Sequence, residues 1–358
     1  MISPKHFRVP LIALGGLSLL AAIWAGLARL GWNLAVPNSS FAENHGPLMI
    51  VGFLGTVIGL ERAVALARPW AYGAPIFAVL SAIMRLAGLP ALWGQWFGVI
   101  SAVILLAIFC FLWWHRRESY LVIIGFGALL WLVGNWLWLS GYPYPNVAAW
   151  WAGFLVLTIA GERLELSRLR RLSVTSRMVL FFAIAVFVFG LCDMSPSEPG
   201  NRLAGVGLIA IALWLLRWDI AWRTVRQAGL SRFMAVSLLS GYFWLLVAGI
   251  LWILYATYFT AGARYDAMLH SIFLGFVFAM IFGHAPIILP SVIDISMPFQ
   301  NLFYGHLILL HLSLLLRVGG DLALSAPARM WGGLLNGVAI LLFLANNIRA
   351  VRIGHKAA

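Results

Sequence analysis

Twelve times along this chain an apolar run of about 20 residues recurs between short polar breaks, the length a helix needs to cross the hydrocarbon core of a bilayer. The runs fall roughly at 9–35, 41–67, 71–92, 95–114, 120–140, 146–165, 177–195, 202–222, 233–258, 265–289, 299–319 and 328–349. Composition leaves little room for another class. Of the 358 residues, 63% are hydrophobic and only 10% charged, too few polar groups to solvate a soluble surface. The expected fold is an all-α polytopic membrane protein of twelve transmembrane helices in a single membrane domain, 1–358. The 18 Trp and 9 Tyr suit anchoring at the headgroup level. The first run exceeds the apolar core of a signal peptide and has no clear small-residue cleavage site, so it is read as a span.

Charge sets the expected orientation. With both termini in the cytoplasm, the inner segments hold eighteen of the twenty-four Lys and Arg residues, among them Arg62, Arg116, Arg117, Arg163, Arg168, Arg170, Arg171, Arg223 and Arg352. This is the positive-inside pattern; the expected location is a bacterial inner membrane. The formal charge of +13 then reports topology and attraction to anionic lipid. A nucleic-acid partner would need a basic soluble face, and no loop is long enough to build one. Cys110 and Cys192 fall near opposite membrane faces and are not expected to pair.

The chain also repeats itself. Span two reads GFLGTVIGLER from Gly52, span six GFLVLTIAGER from Gly153 and span ten GFVFAMIFGHA from Gly275. The first two share six identities in eleven, and the copies lie four spans apart. Three four-helix repeats are expected, approximately 9–114, 120–222 and 233–349. The differences between copies carry the chemistry. His45 lies seven residues before the first glycine and His270 five before the third, whereas copy two has Asn146 and Ala148 at those offsets. Arg85 and Arg317 each stand three residues before a glycine at the outer end of the next span.

His45 and His270 are thus expected at similar depth in the outer third, with offsets differing by about 3 Å along a helix. A lone membrane histidine often only bonds a neighbouring helix, and a terminal arginine often snorkels to the headgroups. Matched depth and matched arginines in two copies favour a different use. Two neutral imidazoles can hold haem iron from both sides, and arginine forks suit the propionates. Arg85 and Arg317 are the first candidates, with Arg29 and Arg264 as further ones.

Glu61, Glu162 and His284 occupy equivalent inner positions in the three copies, suggesting a polar or proton-handling pocket, or local pairing with Arg62 and Arg163. In span eleven, His306 and His311 are five residues apart, about 140° around a helix, so they do not share a face. His284 with His306 makes a candidate second site for copper or non-haem iron, and His311 could instead face a haem. His6, His115 and His355 fall on the cytoplasmic rim. Ser40 and Glu43 fit a capping box that would start the second helix before His45, with Pro47 bending it below the histidine.

At these residues the chain resembles a known superfamily. HGPLMI from His45 looks like the HG-x-x-M opening of the second span in the haem–copper oxidase catalytic subunit. HSIFLGFVFAMIFG from His270 is similar to that family's tenth span. The resemblance implies a twelve-span, pseudo-threefold fold in which these two histidines are the axial ligands of a low-spin haem b. The histidine–methionine pattern of span two, the His270–His284 pair and HLSLLLRVGG in span eleven also resemble the NnrS family, haem- and copper-containing membrane proteins linked to nitric oxide. The oxidase copper triad has no counterpart: spans six and seven lack histidine, and Met268 and Leu269 stand where the oxidases place His-x-His. Oxygen reduction is therefore not expected.

The function expected is that of an integral membrane haem protein in nitric oxide metabolism or response, or in membrane electron transfer, with quinol as a candidate donor. If the chain is an enzyme, a haem-dependent oxidoreductase is expected; rival readings are a haem-free twelve-span transporter, a metal-dependent nitric oxide reductase using the inner His/Glu cluster, and a haem-delivery factor.

Overall fold

The computed structural model describes residues 5–167, 172–193 and 198–357. Arg168, Arg170 and Arg171 of the positive-inside pattern, and the last residues of the seventh expected span, lie outside them. Among the described residues all regular structure is helical, and twelve helices are long and apolar enough to cross a membrane. They are α1 (Phe7–Arg29), α2 (Phe41–Leu66), α3 (Pro69–Leu86), α4 (Ala91–Arg116), α5 (Ser119–Leu139) and α6 (Tyr144–Leu166). There follow α7 (Val174–Cys192), α8 (Glu198–Trp218), α9 (Gly229–Leu254), α10 (Ala263–Ile293), α11 (Phe303–Leu322) and α12 (Ala326–His355). Each matches one apolar run of the sequence, because in hydrocarbon a helix is the local way to satisfy every backbone group. Boundaries moved where local chemistry overrides hydropathy. The first span was expected to run to 35, but α1 stops at Arg29 and the chain turns at Gly31, whose φ of 97° suits glycine.

Contacts divide the chain into two compact units, residues 1–154 with 291–294, and residues 155–290 with 295–358. In the first, the middle of α2 packs against α1 and α3, and α3, α4 and α5 pack in succession. Small residues let these backbones approach: a Cβ on Gly52 would overlap Ser18 and Ala82, and one on Gly55 would sit 2.7 Å from the Trp131 ring. Trp131 stacks on Phe154 at 5.0 Å. Arg8 ties residues 291–294 to this unit by donating to the Val292 carbonyl at 3.1 Å.

In the second unit α7 packs on α8, α8 on α9, and α11 on α12, while the middle of α10 lies against α9 and α11. Gly205 and Gly249 face each other at the α8–α9 crossing. Arg163 and Asp219 form a fully buried, two-point ion pair at 2.7 and 3.1 Å. Asp219 also accepts from the Ala221 amide at 2.7 Å, which starts the short helix after α8, and the buried Tyr242 lies beside the pair.

Neither α2 nor α10 is α-helical throughout. Each contains an eight-residue π-helical stretch, Leu48–Gly55 in α2 and Ser271–Phe278 in α10. The repeat glycine, Gly52 or Gly275, is the fifth residue of its stretch, so the two widened segments fall in the same register of the repeat. α6, which carries the middle copy, is α-helical along its length.

Candidate functional site

The two histidines singled out by the repeat stand at the mouths of these π segments, His45 three residues before one and His270 one residue before the other. Widened turns of this kind are uncommon and gather at functional sites. Each histidine is held by its own unit.

His45 opens the helical turn His45–Pro47, after a tight 3₁₀ turn over Phe41–Asn44. Its Nδ1 donates to the Ala22 carbonyl of α1 at 2.8 Å. The ring lies on Gly26, one turn further along α1, where a Cβ would come within 2.7 Å of Nδ1. The neighbouring Asn44 is gripped by Arg85, whose Nε donates to Asn44 Oδ1 at 2.8 Å and whose Nη2 reaches the same oxygen. The Arg85 guanidinium lies over Trp138 at 5.5 Å. The expected capping box does not form: Ser40 makes no bond to the helix, and its hydroxyl donates to Asn38 Oδ1 at 3.0 Å instead. Pro47 sits in the first turn, where a missing N–H costs little, and the helix runs on past it into the π segment. Ser18 donates to the Leu48 carbonyl at 2.8 Å and Thr56 to the Gly52 carbonyl at 2.6 Å, so hydroxyls serve backbone oxygens at the start and in the middle of the segment.

His270 ends the first eight residues of α10, which begins after Gly262 at φ 92°. Its Nδ1 lies 3.0 Å from the Asp266 carbonyl and 3.2 Å from Asp266 Oδ1. Arg317 completes the arrangement, donating from Nε and Nη2 to the two carboxylate oxygens at 2.8 and 2.9 Å. Arg317 is buried and pinned by α12, for Gly332 packs so tightly on its backbone that a Cβ there would overlap it. Below His270, the Trp244 ring covers Gly275 of the π segment and donates its indole N–H to His311 Nδ1 at 3.0 Å.

The two units thus use one scheme. An arginine from the following span grips an oxygen-bearing side chain beside the histidine, and the histidine Nδ1–H points at an oxygen. Both acceptors require the proton on Nδ1, so the neutral ring carries its lone pair on Nε2, the tautomer of a metal ligand. Arg85 and Arg317, expected at haem propionates, spend these donors on Asn44 and Asp266. Arg29 is exposed at the end of α1, and Arg264 stacks on Tyr255 and Tyr258 at 5.0 and 4.2 Å.

The inner-side candidates each have a neighbour within their own unit. Glu61 pairs with Arg62 at 2.7 Å, and Glu162 lies near the buried Arg163. His284 Nδ1 bonds the Met280 carbonyl at 2.8 Å. His306 is enclosed by the rings of Phe233, Phe282, Phe303 and Phe343, with Nδ1 on Asn346 at 3.0 Å. His311 turns Nδ1 to Trp244. Among the described residues no three His, Cys, Asp or Glu side chains come together as a metal site, so a copper or non-haem iron centre at His284 and His306 gains no further ligand. Sequence reasoning passed over Asn44 and Asp266. Asp266 carried a signal, since it precedes His270 by four residues and so shares its helix face. Asn44 adjoins His45 but became visible only with Arg85 upon it.

No curated protein matches the chain. The model of one family, a domain of unknown function, matches residues 8–352, and the chain accordingly belongs to the DUF8744 family.

Proposed function

We propose that this is an integral membrane haem b protein of the inner membrane, with both termini cytoplasmic and with His45 and His270 as axial iron ligands. We place it on three four-helix repeats arranged like those of the haem–copper oxidases, without their copper triad. The observation that carries the reading is the paired preparation of the two rings. Each has Nδ1 on an oxygen, each has an arginine-held neighbour, and each stands before a π segment in the same register of the repeat. The middle copy has neither the histidine nor the π segment.

When bound, haem held by two histidines would supply a one-electron iron couple, and small gases would bind poorly unless one ligand left. The chain's own residues do the rest. His45 and His270 present Nε2, Ala22 and Asp266 fix the tautomers, and Arg85 and Arg317 orient Asn44 and Asp266. Such a centre suits nitric oxide metabolism or response, or membrane electron transfer from a donor such as quinol. The absorption spectrum of the purified protein, oxidised and reduced, tests this. A low-spin haem spectrum is expected, and His45→Ala and His270→Ala should each change it.

A haem-free transporter is the second reading, favoured by the Arg163–Asp219 pair buried among apolar helices. Absence of a Soret band from the purified protein, with no haem taken up on adding haemin, would select it.

A further inference from the structure

At the end of α11 a carboxyl group lies inside the protein with nothing donating to it. The Asp321 side chain is 0% exposed, and among the described residues no group donates a hydrogen bond to either of its oxygens. Arg329, at the start of α12, stops short: its Nε is 3.9 Å from Asp321 Oδ1 and is itself buried with no hydrogen-bond partner among the described residues. Arg317 stands one turn before Asp321 on the same helix face, but its Nε and Nη2 both donate to Asp266. Asp266 is what Asp321 meets across the contact of α10 with α11. All four residues belong to the second unit.

A carboxylate taken out of water without a donor is strongly disfavoured, and two carboxyl groups in contact do not readily ionise together. Asp266 is the one fixed as an anion, since its two oxygens accept from Arg317 and its Oδ1 lies 3.2 Å from His270 Nδ1. A carboxylate has about four acceptor positions, and these contacts leave one over. We infer that Asp321 carries a proton and donates it to that last position on Asp266, so that the two aspartates form a reversible proton-binding site beside His270. Release is proton transfer alone. The O–H bond of Asp321 breaks, water takes the proton, and the new carboxylate draws the Arg329 guanidinium in from 3.9 Å.

The surroundings favour a proton over a metal cation. Arg317 and Arg329 set positive charge on two sides of the pair, and among the described residues no three metal-ligating side chains come together. The other charged or titratable groups on the packed elements are engaged elsewhere. Arg264 of α10 stacks on Tyr255 and Tyr258. In α9, which also packs on α11, Arg232 lies near the other end and Tyr242 beside Arg163 and Asp219. The inference holds with or without haem.

The experiment compares wild type, Asp321→Asn, Asp266→Asn and Arg329→Gln, each full-length, purified and monodisperse, by infrared absorption with isotope-labelled aspartate. Wild type at neutral pH should show the C=O stretch of a protonated aspartate, moving in heavy water. Asp321→Asn and Asp266→Asn should each lose it, the second because Arg317 and the new amide are then free to donate to Asp321. Arg329→Gln should keep it to higher pH than wild type. Thermal unfolding against pH gives a second readout. Asparagine stands in for the neutral acid, so Asp321→Asn should be as stable as wild type at low pH. As pH rises, wild type should fall below it, because the native chain holds a proton that an unfolded aspartate, titrating at about 3.9, has already released. A wild type without the band, a band that survives either aspartate variant, or an Asp321→Asn protein less stable than wild type at every pH would overturn the inference. So would loss of the wild-type band on adding sodium ions at fixed pH, which would make this a cation site.

Discussion

Gly26 shows how much one residue can decide here. A methyl group at this position would overlap the His45 ring at Nδ1 and Cε1, 2.7 and 2.9 Å away, and the ring could not keep its bond to Ala22. Gly16, on the same helix, has open space where its Cβ would go. On the haem reading proposed above, Gly26→Ala is therefore expected to change the spectrum as His45→Ala does, while Gly16→Ala leaves it as in wild type. Absorption of the two variants side by side checks this. Arg163 and Asp219 offer a second test at this scale. Both are almost wholly buried, and a buried charge that loses its partner is strongly penalised. Arg163→Ala or Asp219→Ala should cost about 3–5 kcal/mol, read as a lower unfolding midpoint in detergent.

At the scale of the element, α2 and α10 are set apart by their π segments. A π turn carries one residue more than an α turn can use, so it turns the side chains before it relative to those after it. The histidines precede the segments and the glycine crossings lie within them: Gly52 against α1 and α3, Gly275 against Trp244 of α9. Removing one residue, such as the partly exposed Phe273, should let α10 relax to an α-helix and swing His270 by about 100° around the axis. On the haem reading proposed above, the expected outcome is unchanged helical content by circular dichroism with loss of the low-spin spectrum. A retained spectrum would mean that the widened turn does not aim the histidine. Neither segment was legible from hydropathy, which sees apolar residues whatever the hydrogen-bond spacing.

For the whole molecule, the arrangement of basic residues makes a claim about sidedness. On the proposal that both termini are inside, Arg116 at the end of α4 would face the cytoplasm and Tyr142 in the turn after α5 would face outward. In a chain freed of Cys110 and Cys192, a membrane-impermeant maleimide applied to intact cells should label Tyr142→Cys and spare Arg116→Cys. The reverse pattern would invert the topology.

Twelve helices and their repeated GF motifs could be read from the chain because each rests on local chemistry: an apolar run long enough to span, with every backbone group satisfied inside its own helix. The histidines could be read too, since two of three copies carry them. Which oxygen each imidazole faces could not be read, because Ala22 lies 23 residues before His45 and is a backbone atom. Nor could the partners of the arginines. Arg317 meets Asp266 across 51 positions of sequence, and a guanidinium near a membrane surface suits a lipid phosphate, a propionate or a carboxylate equally well. Only packing chose the carboxylate. The sequence by itself thus determined the helices and the spacing of the imidazoles, because these follow from hydrophobic length and periodicity. Tertiary structure decided how each imidazole is held, because hydrogen bonds between helices depend on which backbones the small residues allow to meet.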